Sequence, residues 1–536
     1  MTRVLVVGGG SAGWMAAAYL NAALNRDEKT ADIALIESPD VPRIGVGEAT
    51  IPNINHILRV IGIDEEDFMR RVDGTFKQSI RYVNWLEGRG DFYHHPFSRY
   101  RPSPIDTTGR DWLMSDRSIP FTETVTAQTA FCELGLSPKM VGQWDFGTPL
   151  SYAFHMNALK FADYLCEVST ARGVTHHLDH VVDVHTHEDG AIDAVSTKSG
   201  QRLEADLFID CTGFAALLME KTLGVDWVDC SQWLLCDRAI TMAVPYEHHY
   251  RGYVRPFTTA TALSNGWVWE IPLQDKRSLG YVHSSSLLEK EDAEREIRRF
   301  EGAHAESLDT RFIYFKVGYR EKAWVKNCIA IGLAGNFIEP LESTGLYLSD
   351  LATVILTEHF PHHGDMEALA FRFNRVMVNR FYEILDFINM HYCLTRRTDT
   401  EFWREVQKSE RINDRLQAKL DFWRVKPPSP SDFEDQFVPG QPNRPLESRL
   451  SGDHRAPIDT AGLWGYESYE AILYGMDFLR EECDAWFGTD RPKTRVLPRV
   501  IQKLQMAPQK LVRHEEWLHQ VLGMPRYTVA AGARRH

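Results

Sequence analysis

The 536-residue chain has no C-x-x-C pair, and its eight cysteines (Cys132, Cys166, Cys211, Cys230, Cys236, Cys328, Cys393 and Cys483) are scattered. That spacing argues against a thiolate zinc site or a dense disulfide framework and fits a reducing cytosol. A basic excess is missing too: 60 Lys and Arg stand against 74 Asp and Glu, for a net charge of −14. A chain of this balance lacks the footprint needed to track phosphates, which argues against nucleic acid as its main partner. Nor does it favour an anionic membrane surface. No apolar run reaches membrane-spanning length. The apolar start, VLVVGGGSAGWMAAAYL, is interrupted by three glycines and reads as strand, turn and helix, not as a signal peptide. Internal repeats and low-complexity tails are absent. What remains is ordinary globular composition, 43% hydrophobic and 25% charged, with ample material for a core. A cytoplasmic protein without a metal centre is expected.

The first motif is local. A β-branched run at residues 3–8 leads into Gly8, Gly10 and Gly13, which form G-x-G-x-x-G around Ser11 and Ala12. An Ala-rich helix follows, and then a second strand, DIALIE, ends in Glu37. This is a dinucleotide fingerprint in its βαβ context. The first glycine makes a tight turn, the second admits the pyrophosphate, and the third lets helix pack on strand. Helix N-terminal amides hold the phosphates, and Glu37 is placed to accept from the ribose. GVGEATIP at 45–52, with Ala49, is a second glycine-rich turn. ADLFIDCTG at 205–213 and IAIGLAGNF at 329–337 are further strands of the kind that return beside FAD. No second G-x-G-x-x-G marks a separate NAD(P)H domain.

The expected fold class is therefore α/β, with an FAD-binding Rossmann-like unit of the flavin monooxygenase type interleaved with a largely helical substrate unit. Residues 1–90 and 150–350 are assigned to the first, discontinuous unit, and 91–149 and 351–536 to the second. YAFHMNALKFADYLCEVSTARG (152–173) has helical apolar spacing, and VTHHLDHVVDVHTH (174–187) looks like strand. The charge-mixed EKEDAEREIRRFEGAHAE (289–306) reads as a solvated helix. The Pro-rich stretch from 425 to 445 reads as a surface connection.

GWVWEIPL at 266–273 carries Trp267 and Trp269 two apart, hence on one face of an extended strand, with Pro272 closing it. Taken alone, such a pair is a core strand. It stands beside GTFKQSIRY (74–82), NFIEPLESTGLY (336–347), LDFINMHY (385–392) and DTEFW (399–403). Together with the fingerprint, this set resembles the flavin-dependent tryptophan halogenases, whose distinguishing motif is W-x-W-x-I-P. The resemblance covers most of the chain to about residue 405.

The resemblance implies FAD, used as FADH2, with O2 and a chloride or bromide ion as co-substrates. It also implies that hypohalous acid travels to a separate pocket and halogenates an indole-type substrate. Lys77 and Glu342 take the catalytic places, and Thr344 and Gly345 the halide-binding turn. His95, Phe97 and Trp464 take the substrate-binding places. Trp267 and Trp269 become a wall at the flavin that keeps an organic substrate away. Each residue type suits its task. An ammonium can hydrogen-bond hypohalous oxygen, or its amine can form a haloamine. A fixed carboxylate stabilises the cationic ring and can take its proton. Oriented N–H groups hold a halide. A separate flavin reductase is implied, and a homodimer is left open. An aromatic hydroxylase is the alternative enzyme, and a flavin-binding redox sensor the non-enzyme alternative. In LWGYESYEA, Glu470 follows Tyr469 where the family's free-tryptophan enzymes have a second tyrosine. Indole or a larger indole compound is therefore expected to be preferred over free tryptophan.

Overall fold

The computed structural model describes residues 1–43, 45–102, 105–144, 146, 150–362, 366–429, 432 and 463–530. Most of the Pro-rich stretch lies outside the described residues. The fingerprint folds as expected: strand β1 (Thr2–Val7), helix α1 (Ser11–Leu24) and strand β2 (Ala31–Glu37). In the six-stranded sheet, β1 lies between β2 and Leu207–Asp210, both parallel to it. Thr175–Leu178 and Cys328–Ala330 extend the sheet in parallel on its two sides, and the short Trp324–Val325 closes one edge antiparallel. β1 reads as a continuous apolar run because both of its faces are covered.

A second, three-stranded sheet carries chemistry. The strand Ala153–Asn157 lies between β3 (Gly47–Ala49) and β4 (Thr75–Lys77), antiparallel to both. This corrects one expectation. The helix begins only at Ala158, with the Asn157 side chain accepting from the amides of Leu159 and Lys160. Pairing on both edges outweighs the helical spacing of YAFHMN. The segment 174–187 likewise splits into two strands in different sheets.

The seven-stranded sheet includes β5 (Ser79–Val83), its antiparallel partner β6 (Phe92–Pro96), and β7 (Gly266–Pro272). The expected unit boundary at residue 90 falls between the paired strands β5 and β6. β7 is buried along its whole length. Small residues flank its two indoles: Trp267 stands opposite Ala262, and Trp269 opposite Ala260 on one side and Gly280 on the other. A Cβ at Gly280 would lie 2.0 Å from the Trp269 ring, so only glycine admits it. The two indole rings are 6.2 Å apart. The helix Lys290–Glu301 is not simply solvated. It buries Ala293, Ile297 and Glu301, and Glu301 pairs with Arg251 and Arg277.

Further helices follow in the second half of the chain, among them α2 (Gly345–Glu358), α3 (Met366–Cys393), α4 (Tyr466–Gly475) and α5 (Pro498–Lys510). Among the described residues, no helix is long and apolar enough to cross a membrane.

Candidate active site

The cradle for a dinucleotide is built as the glycines require. Gly8 has φ +114°, and a Cβ there would meet the Cys211 carbonyl oxygen at 2.3 Å. A Cβ on Gly13 would meet the Gly8 oxygen at 1.9 Å, whereas one on Gly10 would meet nothing within 4 Å. Turn and packing thus fix the outer two glycines, while the middle one faces open space where a ligand can approach. Ser11 opens α1 and donates to the Ala158 carbonyl at 3.3 Å. Ala12 lies against Gly332 of the returning GLAGNF segment. Ala49 is buried in β3. The Glu37 carboxylate accepts from Trp14 Nε1 at 3.2 Å and from Arg43 at 2.6 Å, which leaves it further acceptor capacity.

Lys77, at the end of β4, is fully buried. Its Nζ donates to the Thr50 carbonyl at 2.9 Å and to Ser343 Oγ at 2.6 Å, and sits 5.1 Å from the centre of the Phe97 ring. One ammonium therefore joins the second glycine-rich turn, the T-F-K strand and the P-L-E-S-T loop. Two of its three N–H donors are used. Burial pushes the Lys77 amine down to about 7, against the opposing pull of Glu342.

Glu342 ends the short turn Pro340–Glu342 and is also buried. Tyr82 donates to its Oε1 at 2.5 Å, His391 Nε2 to Oε1 at 2.9 Å, and His95 Nδ1 to Oε2 at 2.9 Å. Burial alone would raise its carboxyl. The His95 charge and the hydrogen bonds from His391 and His95 instead hold it well below the usual carboxylate range. Burial pushes the His391 imidazole down, against the opposing pull of Glu342. With Nε2–H given to Glu342, its Nδ1 accepts from Tyr93 at 2.9 Å, and this fixes the tautomer.

The turn expected to bind halide follows at once. Ser343 is left-handed at φ +59°, which turns the chain sharply into α2. Thr344 is fully buried, its Oγ1 has no hydrogen-bond partner among the described residues, and a Cβ on Gly345 would meet nothing within 4 Å. An orphaned hydroxyl beside open space at the N-terminus of a 14-residue helix suits a small anion.

The Trp pair is linked to this loop. Trp267 Nε1 donates to Glu339 Oε1 at 3.2 Å, and Tyr392 donates to the same oxygen at 2.5 Å. Burial pushes the Glu339 carboxyl up to about 7.

Of the aromatic residues expected around the substrate, His95 and Phe97 meet Glu342 and Lys77 directly. Trp464 stands one ring away: it stacks on Phe387 at 4.1 Å, and Phe387 lies 5.5 Å from His95. Glu470 is not the repelling anion expected from the sequence. It is buried, with Arg99 at 2.5 Å from Oε2 and the Tyr474 hydroxyl at 3.0 Å from Oε1, so its charge is spent inside the protein. Tyr82, His391, Ser343, Glu339 and Phe387 were not singled out from the sequence. Each lies within a quoted motif, and a polar residue in an otherwise apolar stretch such as LDFINMHY was the available signal.

The tryptophan halogenase family model matches residues 3–489. The chain belongs to the tryptophan halogenase family. It is 35% identical over 495 residues to tryptophan 6-halogenase ThaL of Streptomyces albogriseolus, covering 89% of each chain. To tryptophan 7-halogenase RebH of Lentzea aerocolonigenes it is 36% identical over 466 residues, covering 81% of this chain and 86% of that one. Its fold matches a tryptophan halogenase from Shewanella frigidimarina with a TM-score of 0.84 and 33% identity, over 98% of both chains. The family membership makes this chain a flavin-dependent halogenase of the tryptophan or indole class.

Proposed function

We propose that the chain works with a separate flavin reductase, binds FADH2 on the Gly8–Gly13 cradle and halide at Thr344–Gly345, and directs hypohalous acid onto an indole ring through Lys77 and Glu342. Bound FADH2 with O2 supplies the two-electron oxidation of halide to hypohalous acid. Gly10 leaves room for a pyrophosphate, and Glu37 and Ala49 would help to hold the cofactor when it is bound. The Thr344 hydroxyl and the first amides of α2 hold the halide. Trp267, pinned by Glu339, and Trp269 wall off the organic substrate.

The Lys77 ammonium offers its remaining N–H to the oxygen of hypohalous acid, drawing electrons from the halogen and giving up that proton as the O–halogen bond breaks, so that the oxygen leaves as water. The ionised Glu342 faces the positive charge that develops on the ring, and takes the ring proton once the carbon–halogen bond has formed. His95, Phe97 and Trp464 hold the indole. We further propose that residues 1–90 and 150–350 form the FAD-binding unit and the remainder the substrate unit.

The observation that carries this reading is the separation of two buried, oppositely charged groups. Neither is the other's hydrogen-bond partner, and both border the open turn at Gly345. The test is incubation with a flavin reductase, NADH, FAD, indole and either chloride or bromide, followed by product masses. A halogen mass shift is expected; an added oxygen in its place would select the hydroxylase.

A further inference from the structure

Lys77 ends a strand with one open edge. In its three-stranded sheet, β4 pairs with Ala153–Asn157, and its other edge meets no strand among the described residues. An edge N–H inside a protein still needs an acceptor. The Phe76 amide, one residue before Lys77, is buried and finds its acceptor 438 residues away, at His514 Nε2, 3.1 Å distant. Nδ1–H of the same ring donates to the Val254 carbonyl at 2.9 Å. Accepting at one nitrogen and donating at the other fixes the neutral tautomer. Burial pushes this imidazole down to about 4, which keeps Nε2 an acceptor.

Two residues on, the Gln78 amide donates directly to the Pro256 carbonyl at 2.8 Å. The backbone on either side of Lys77 is thus tied to one segment, 254–256. The tie after the lysine is a direct bond, and the tie before it runs through the imidazole. His514 is itself held: its amide donates to the Gly135 carbonyl at 2.8 Å, and Arg513 bridges to Leu136. Gln78 Nε2 donates to the Leu136 carbonyl at 2.8 Å, which closes the circuit. Trp517, three residues beyond His514, packs on Phe76 with ring centres 4.8 Å apart.

This frame matters because the lysine stem is flexible and its targets are not. Nζ must meet the Thr50 carbonyl and Ser343 Oγ and still present a third N–H. A rigid ring that spaces β4 from residue 254 sets the point from which the stem reaches. A misplacement of about 1 Å costs a reacting group on the order of 10²-fold.

We propose that His514 is a positioning residue for halogenation: by accepting from the Phe76 amide, it holds the strand that presents Lys77 to the oxidant. It acts through Lys77, so the inference rests on the catalytic reading of that residue.

The two ring nitrogens can be tested one at a time. An asparagine amide reaches as far as Nδ1, and a glutamine amide as far as Nε2. His514→Asn therefore keeps the Val254 bond and loses the Phe76 bond, and His514→Gln does the reverse. Each variant is supplied with a flavin reductase, NADH, FAD and bromide. Halogenated indole is measured by mass, and hypohalous acid with a thiol trap in a parallel reaction without indole. In His514→Asn, product per folded molecule should fall at least about tenfold while trapped oxidant is unchanged. In His514→Gln, product should stay within about threefold of wild type. A merely structural histidine predicts that both variants lose stability and that both keep the wild-type ratio of product to oxidant. That outcome, a loss of oxidant together with product, or a glutamine variant as impaired as the asparagine one would overturn the proposal. If His514→Asn does not fold, His514→Phe takes its place, and failure of both to fold would make His514 a folding residue and overturn the proposal as well. Lys77→Met, run in parallel, separates the two readings. Full halogenation there counts against the catalytic reading, whereas its loss there beside a normal ratio in His514→Asn sinks only the role of His514.

Discussion

The protein buries two lysines close to glutamates and uses them in opposite ways. Lys139 and Glu65 meet directly at 2.7 Å, both side chains almost fully enclosed. Glu65 also accepts from the Phe146 amide at 2.7 Å and from Tyr152 at 2.5 Å, and the Lys139 ammonium lies 4.9 Å from the centre of the Tyr152 ring. That pair is closed, and each charge is consumed by the other. Lys77 and Glu342 are just as buried but are held apart: Lys77 by Thr50 and Ser343, and Glu342 by Tyr82, His95 and His391. Keeping two charges buried without joining them costs stability, and on the proposed reading that separation serves the reacting atoms. On that reading, the closed pair is structural and the open pair is the site.

The comparison breaks most visibly at the closed pair. Lys139→Met strands the Glu65 charge and should cost about 3–5 kcal/mol in urea unfolding, while halogenation per folded molecule stays at the wild-type level. Adding Glu65→Leu should recover most of that loss. A selective loss of activity in either variant would show that the closed pair is not merely structural.

At the open pair, Glu342→Gln keeps the shape and deletes the charge. Turnover should fall roughly 10²-fold, or about 2.7 kcal/mol, with KM little changed, because the charge matters once the ring becomes cationic. An effect confined to KM would place Glu342 in ground-state binding instead.

The Lys77 amine, pushed down to about 7 by burial, adds a pH test. If the ammonium is the working form, indole halogenation falls about tenfold per unit as pH rises above about 7. A haloamine route needs the neutral amine, so the rate would be flat above about 7 and fall about tenfold per unit as pH drops below it. Stability moves the other way. The folded value lies below the ordinary 10.5, so between these two the unfolded chain binds the extra proton and stability rises with pH. Melting temperatures at pH 7 and pH 9 measure that slope, and Lys77→Met should remove the part due to this residue.

The smallest effects belong to the Trp pair. Trp267→Phe deletes the hydrogen bond to Glu339 and should cost about 1–3 kcal/mol. Trp269 Nε1 has no hydrogen-bond partner among the described residues, so Trp269→Phe should cost about 1 kcal/mol or less on that account. Chemical denaturation of both variants compares them directly. Equal costs would mean that the Glu339 bond carries no weight.

Much of this was legible in the sequence because it is local. Gly8, Gly10 and Gly13 act within one turn, and Lys77 and Glu342 lie in short motifs whose chemistry suits them. What the sequence did not yield depends on distant pairing. Tyr82 and His95 reach Glu342 across about 250 residues of chain, and His391 fixes it from α3. YAFHMN became a strand only because β3 and β4 flank it. Glu470 looked like a free anion because Arg99, which neutralises it, lies 371 residues away.

The most direct test of the open-pair account is the fate of the oxidant in Lys77→Met, measured with a thiol trap for hypohalous acid alongside the mass of the indole product. The account predicts a folded enzyme that still delivers oxidant to the trap but yields at least about 100-fold less halogenated indole. Near-normal halogenation of indole, or loss of trapped oxidant together with the product, would contradict it.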